Sequence, residues 1–321
     1  MNEIGGYFEL ELPAGTPVNL HPGVAVNSGR HALEYILLEL GNKVQRILLP
    51  FYTCDVVFQP LERLKIPYEF FHINENLEIA TLPEIGEGDY IIINNYFGVK
   101  DRYLDSMIKE YKNRLIIDNA QAWYYVPVET CNAFYSPRKF FGLPDGGIAR
   151  TDEISHIDLQ KGYSGSRFSH LIKRIEEGAS AGYADFKANS ATLKSEPLTE
   201  MSLLTKRLLC SIDFERVKEI RRNNFAFLHS KLGKSNKLNL PDIDEFECPM
   251  VYPYMTENES LRQHLIENRV YVATYWPHIS NFCAKSTIEY KLSNNIIPIP
   301  IDQRYGIEEM KRITSIIENA S

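Results

Sequence analysis

The sequence predicts an α/β fold, a mixed and mostly parallel sheet covered by helices, with a smaller C-terminal α+β unit. Three observations predict it. Short apolar runs alternate with helical patterns through the first 150 residues. One run, Tyr90-Ile91-Ile92-Ile93, is apolar throughout, as a strand covered on both faces would be. Beyond about residue 152 the alternation gives way to helical stretches and then a short mixed unit. The expected division is a large domain over residues 1–205 and a small one over 206–321.

Taken in order, Ser28 can cap a helix over residues 31–40, with Leu33, Ile36, Leu37 and Leu40 on one face. Gly41 suits the residue after its end. A strand over 46–49 stops at Pro50, and a helix follows over 53–64. Strands are expected at 68–71, 90–94, 115–117, 133–135 and 147–150, with a helix over 101–111. Residues 164–198 read as helix pieces with exposed loops, and 201–232 as one long helix or two. In the small unit, strands are expected at 250–254, 270–272 and 296–299, and helices at 259–268 and 306–318.

Bulk properties narrow the function. A chain of 321 residues, 44% hydrophobic, can bury a large core. Its net charge of −7 leaves no basic excess for a nucleic-acid partner, and Arg221-Arg222 reads as a solvated helix face. Five cysteines without a C-x-x-C pair read as free thiols of a reducing compartment. Eight histidines without ligand spacing argue against a metal site. Residues 1–6 carry no leader pattern, and no run reaches membrane-spanning length, so a soluble cytoplasmic protein is expected. No nucleophile-elbow or P-loop motif is present.

The chemistry gathers around Lys139. Asp118 closes an apolar strand, Ser136 follows, and Lys139 stands three residues later. That order fits pyridoxal 5'-phosphate (PLP). A lysine amine would form a Schiff base with the cofactor aldehyde, an aspartate would pair with the protonated ring nitrogen, and a serine would donate to the phosphate. Lys139 lies among Pro137, Phe140, Phe141 and Gly142, so partial desolvation is expected to lower its pKa. Gln121, on the turn after Asp118, could reach the phenolic oxygen. Ser28, Gly29 and Arg30 open a helix whose N–H groups could cradle a phosphate. Tyr52 is the stacking candidate for the ring, with Phe51 in the core and Cys54 a small buried filler.

These segments resemble the DegT/DnrJ/EryC1/StrS family of PLP-dependent sugar aminotransferases. Asn27-Ser28-Gly29-Arg30-His31-Ala32-Leu33 is similar to its phosphate motif, and Leu49-Pro50-Phe51-Tyr52-Thr53 to its turn beside the cofactor. Asn95-Tyr96-Phe97-Gly98 looks like its strand-end segment, and Ile117-Asp118-Asn119-Ala120-Gln121-Ala122 is close to its E-D-A-A-Q-A. Ser136-Pro137-Arg138-Lys139, with Asp145-Gly146-Gly147, resembles its lysine segment, and the run 296–301 its closing strand. Arg30 stands where the family has threonine, Cys54 where it often has an aromatic, and its N-x-R dimer segment has no counterpart.

The resemblance implies a fold-type-I transferase acting as a homodimer. It implies glutamate or glutamine as amino donor and a nucleotide-linked keto-sugar as acceptor, in surface-polysaccharide or natural-product synthesis. A dehydratase and an inactive binding relative are the rival readings; the presence of Lys139 favours transamination. Residues 164–198 are the expected dimer-crossing segment, with Lys187 and Asn189 nominated within it.

Overall fold

The computed structural model describes residues 6–14, 21–153 and 157–320. The leader reading at residues 1–6 falls almost wholly outside them. The main sheet contains β1 (Val24–Val26), β2 (Arg46–Pro50), β3 (Tyr68–Ile73), β4 (Ile79–Thr81), β5 (Asp89–Asn94), β6 (Leu115–Asn119), β7 (Asn132–Tyr135) and β8 (Gly147–Arg150). Their spatial order is β1-β8-β7-β6-β5-β2-β3-β4. The run β7-β6-β5-β2-β3 is parallel, while β8, β1 and β4 pair antiparallel. This is the expected mixed, mostly parallel sheet.

Alternation along the central strands splits the apolar residues between two faces. Ile47, Leu49, Ile92 and Ile116 pack with α1 (Gly29–Leu40) and α2 (Phe58–Leu64). Leu48, Ile91, Ile93 and Ile117 pack on the other face, with Leu104 and Ile108 of α3 (Asp101–Tyr111). Burial on both faces is why these strands read as continuous apolar runs. The second core continues without a break into the C-terminal unit through Phe225, Tyr252, Leu265, Ile299 and Ile313.

The middle of the chain is helical, as expected. Residues 164–198 contain a helical hairpin, α4 (Ser169–Glu176) and α5 (Ala179–Ser195). At Gly182 a Cβ would sit 2.7 Å from the His170 carbonyl oxygen, so the two helices approach closely there. Residues 201–232 form two helices, α6 (Leu203–Cys210) and α7 (Phe214–Leu232), because Asp213 caps the second by accepting the Arg216 N–H at 3.0 Å. The helix expected over 53–64 starts late: Cys54 is extended, a 3₁₀ turn spans Asp55–Val57, and only then does α2 begin.

The C-terminal unit pairs β9 (Val251–Met255) with β10 (Ile296–Pro300), antiparallel, beside α7, α8 (Leu261–Glu267), α9 (Ile288–Asn295) and α10 (Ile307–Asn319). Residues 270–272 are not a strand, because the Val270 N–H is spent on the Leu265 carbonyl at the end of α8. No described helix is long and apolar enough to cross a membrane.

Candidate active site

The parallel strands β2, β5, β6 and β7 end at one edge of the sheet, where open α/β folds place ligands. The order of strand addition reverses there: β3 lies outside β2, while β6 and β7 lie beyond β5. Asn94 stands in register with Asp118, and its Nδ2 donates to Thr53 Oγ1 at 3.0 Å. Three strand ends are thereby tied beside one carboxylate.

Asp118 is 7% exposed. One carboxylate oxygen accepts the Ala120 N–H at 2.8 Å. Burial pushes its pKa up to about 6, opposed by that N–H and by the charge of Lys139. The same lysine charge acts on the Cys54 thiol, whose pKa burial raises. Asp118, Lys139 and Cys54 therefore share one electrostatic neighbourhood, although 85 residues separate the last two in sequence (139 − 54).

Two expectations fail here. Lys139 is exposed in the chain itself, because Phe140 and Phe141 turn into the core while the lysine faces out of the 3₁₀ turn Pro137–Lys139. Cys54 is half-buried within the site, not a filler of the core.

The helix start and Ser136 meet as the sequence suggested. A Cβ on Gly29 would lie 3.2 Å from Ser136 Cβ and 3.5 Å from its Oγ, so Gly29 opens the space beside that hydroxyl. The Ser28 side chain is already used, accepting the His31 N–H at 3.4 Å and bonding His31 Nδ1 at 2.8 Å. Ser28 forms a parallel bridge with Gly146, whose N–H donates to the Asn27 carbonyl at 2.8 Å, and the Arg30 N–H makes no backbone bond outside its helix among the described residues. Arg30 reaches Gln59 with its guanidinium, and Cys54 and Asp55 lie within its field. Gly147 permits this closeness: a Cβ there would fall 2.2 Å from the Ser28 carbonyl oxygen.

Gln121 is partly committed. Its Oε1 accepts the Phe97 N–H at 2.7 Å, and its Nε2 is left without a bond among the described residues. Phe97 holds a left-handed backbone, φ 58°, at the end of β5.

Tyr52 does not offer a ring face. It is fully buried, 5.4 Å from Tyr96 and edge-on to Trp276 at 4.6 Å. Its carbonyl accepts the Tyr96 hydroxyl at 2.7 Å. Trp276 and Tyr275, from the small unit, cover these strand ends, and Tyr275 lies within the field of Cys54 and Arg221. The sequence analysis missed both, since their segment has no periodicity and its place depends on docking of the small unit.

The turn carrying Lys139 is held from behind. Asn189 Nδ2 donates to the Pro144 carbonyl at 2.7 Å, and its Oδ1 accepts from Arg167 at 3.2 Å. Within the chain Asn189 is therefore an internal brace, whereas Lys187 is exposed over the Tyr183 ring. Buried Asp145 accepts from the Ser202 N–H and hydroxyl at 3.2 and 2.9 Å and from the Thr205 hydroxyl. Arg221 is no solvated residue: it is fully buried and donates to the Met250 and Phe140 carbonyls at 2.8 and 3.3 Å.

No family model matches the chain, and no curated protein matches it in sequence. Solved structures match its fold. The sugar aminotransferase CalS13 from Micromonospora echinospora aligns with a TM-score of 0.61 at 13% identity, over 92% of this chain and 86% of its own. NtdA from Bacillus subtilis with bound cofactor PMP gives 0.62 at 14%, over 92% and 72%. A DegT DnrJ EryC1 StrS aminotransferase from Brucella abortus gives 0.61 at 14%, over 92% and 85%. The chain has the fold of these aminotransferases.

Proposed function

We propose that this site binds PLP and that the protein is an aminotransferase. In this reading it takes the amino group of glutamate or glutamine and delivers it to a nucleotide-linked keto-sugar. The observation that carries the reading is Asp118: a buried carboxylate with one backbone N–H for a partner, at a strand end beside Lys139 and an open helix start. Such a group has no ion-pair contact among the described residues, and the protonated ring nitrogen of the cofactor is a cation of the right kind. The Arg30 N–H at the helix start and the Ser136 hydroxyl beside Gly29 suit a phosphate.

When bound, the cofactor supplies an electron sink for negative charge developing at a substrate carbon. The chain does the rest. Lys139 Nζ would hold the cofactor covalently and would serve as the base that takes and returns a proton. Asp118 keeps the ring nitrogen protonated through a charge-assisted bond worth roughly 1.5–3 kcal/mol. Gln121 Nε2 would donate toward the cofactor's phenolic oxygen, and the helix start at Gly29 and Arg30 would hold its phosphate. The fold shared with CalS13 and with PMP-bound NtdA supports this assignment. The five free cysteines fit a cytoplasmic setting, and surface-polysaccharide or natural-product sugar synthesis is the proposed context.

The working unit in this reading is a homodimer. Ile175, Tyr183 and Phe186 leave apolar surface exposed on the α4–α5 hairpin, beside Lys187. Light scattering should return twice the chain mass; a cofactor-bearing monomer would remove this part of the reading. The reaction is tested by loading the protein with PLP, adding glutamate, and screening keto-sugar nucleotides by mass spectrometry. An amino-sugar product with release of 2-oxoglutarate is expected. A product that has lost water without gaining nitrogen would point to dehydration and overturn the assignment.

A further inference from the structure

Two segments of the candidate site meet at one buried imidazole. His21, Trp123 and Tyr135 are 2, 4 and 0% exposed. The His21 ring stacks on Tyr135, with centroids 3.7 Å apart and planes 20° from parallel. The same ring stands edge-on to Trp123 at 4.6 Å. Its Nε2 bonds the Trp123 carbonyl oxygen. A carbonyl oxygen can only accept, so Nε2 carries the proton and the neutral ring leaves Nδ1 bare. Nδ1 has no partner among the described residues. Burial holds the His21 pKa at about 3, against the pull of the carbonyl bond and with the Arg150 charge adding to the effect. The imidazole is therefore neutral near pH 7.

The topology brings this ring to both segments. Gly23 lets the chain ahead of β1 lie against β8: a Cβ there would fall 2.4 Å from the Ala149 carbonyl oxygen. Strand β8 in turn pairs with β7, which ends in Tyr135. One planar peptide unit joins Tyr135 to Ser136, whose hydroxyl lies beside Gly29. Trp123 follows the turn that begins at Asp118, where the Ala122 N–H donates to the Asn119 carbonyl at 3.0 Å, and Gln121 lies on that turn. A phenyl ring in place of the imidazole would fill the same stack without burying a bare ring nitrogen, which costs stability. What the imidazole adds over a phenyl ring is the bond to the Trp123 carbonyl.

We propose that His21 is a positioning residue with a divided task. Its Nε2–H fixes the turn that aims Gln121, and its ring seats the segment that presents the Ser136 hydroxyl. The inference rests on the PLP reading for what those two groups meet: the phenolic oxygen and the phosphate. His21 itself touches neither, since its partners are the Trp123 carbonyl and the Trp123 and Tyr135 rings.

The test titrates the protein with PLP and with pyridoxal, which lacks the phosphate, and follows visible absorbance across pH, with melting temperatures alongside. His21→Gln keeps an N–H donor and loses the ring. It should bind PLP about 10-fold more weakly, with pyridoxal affinity unchanged. His21→Phe keeps a ring and loses the donor. It should hold PLP within about 2-fold of the parent, while the pH midpoint of the PLP-dependent absorbance rises by about one unit. The rise is expected because a phenolic oxygen deprived of the Gln121 donor leaves more negative charge beside the protonated nitrogen at Lys139. Lower melting temperatures in both variants, with affinities and midpoint at parental values, would make His21 a core residue and overturn the proposal. So would an equal loss of PLP and pyridoxal affinity in both. Each variant decides its own half, so one that fails to fold leaves the other decisive. Uptake of PLP by the parent, with both variants behaving like it, sinks this inference alone. A parent that takes up no PLP removes the aminotransferase reading and this inference with it.

Discussion

Arg221 holds the Phe140 carbonyl at 3.3 Å and lies 4.6 Å over the Phe140 ring, one residue beyond Lys139. Gln303 donates to the same carbonyl at 2.8 Å. The small unit thereby grips the turn that presents the lysine. Arg221 is 2% exposed and meets carbonyl acceptors and Gln303, with no carboxylate in contact. A buried cation in that setting is retained for its geometry, since its desolvation is costly.

Replacing Arg221 should therefore cost stability and site order together. Arg221→Met leaves buried carbonyls at Met250 and Phe140 short of donors and should destabilise by about 2–4 kcal/mol. Arg221→Lys cannot span both acceptors from one fork and should recover only part of this. Urea unfolding measures the first effect. The fraction of chain that borohydride couples to PLP measures the second. Stability lost with coupling intact would mean that Arg221 is a core residue without a role in positioning Lys139.

The Asp118 carboxyl sets a pH dependence. Burial raises its pKa to about 6 from 3.8, so the folded chain holds this proton more tightly than the unfolded one. The associated stability is fully present below about pH 4 and is lost as pH rises through 6. Without cofactor, Asp118→Asn should match the parent near pH 4 and exceed it at pH 8 by up to about 3 kcal/mol. With cofactor and donor, the same variant should lose turnover by orders of magnitude. Melting curves across this pH range check the first part. Parallel curves for the two proteins would show that Asp118 is not strained by burial.

Cys54 reports on the site from inside it. Its thiol is half-buried, and its pKa is raised by burial and drawn down by the Lys139 charge. Alkylation by iodoacetamide should be slow near neutral pH, accelerate as pH rises, and slow further in Lys139→Met. PLP loading should protect the thiol. Peptide mass spectrometry of Cys54 against the other half-buried cysteine, Cys210, gives the readout. Equal rates with and without PLP would place the cofactor elsewhere.

Much of this site was legible in the sequence because its pieces are local. Asp118 ends an apolar run, Ser28 caps a helix, and Lys139 follows Ser136 by three residues. The central strands were legible through their uninterrupted apolar character. What failed depended on tertiary placement. Tyr52 looked like a stacking ring until Trp276, from the far end of the chain, was found against it. Arg221 looked like surface charge because its carbonyl partners lie in the loops at 140 and 250. The internal bond of Asn189, nominated in the dimer-crossing segment, is not visible in sequence because its acceptor, Pro144, is 45 residues away. Residues 270–272 had strand composition, but the cap of α8 had already taken the Val270 N–H.

The central claim is that Lys139 anchors PLP beside Asp118. The most direct measurement is incubation with PLP, reduction with borohydride, proteolysis and peptide mass spectrometry. One labelled peptide is expected, with the pyridoxyl mass on Lys139, and it should disappear in Lys139→Ala. Label on another lysine, or no label on a folded chain saturated with PLP, would contradict it.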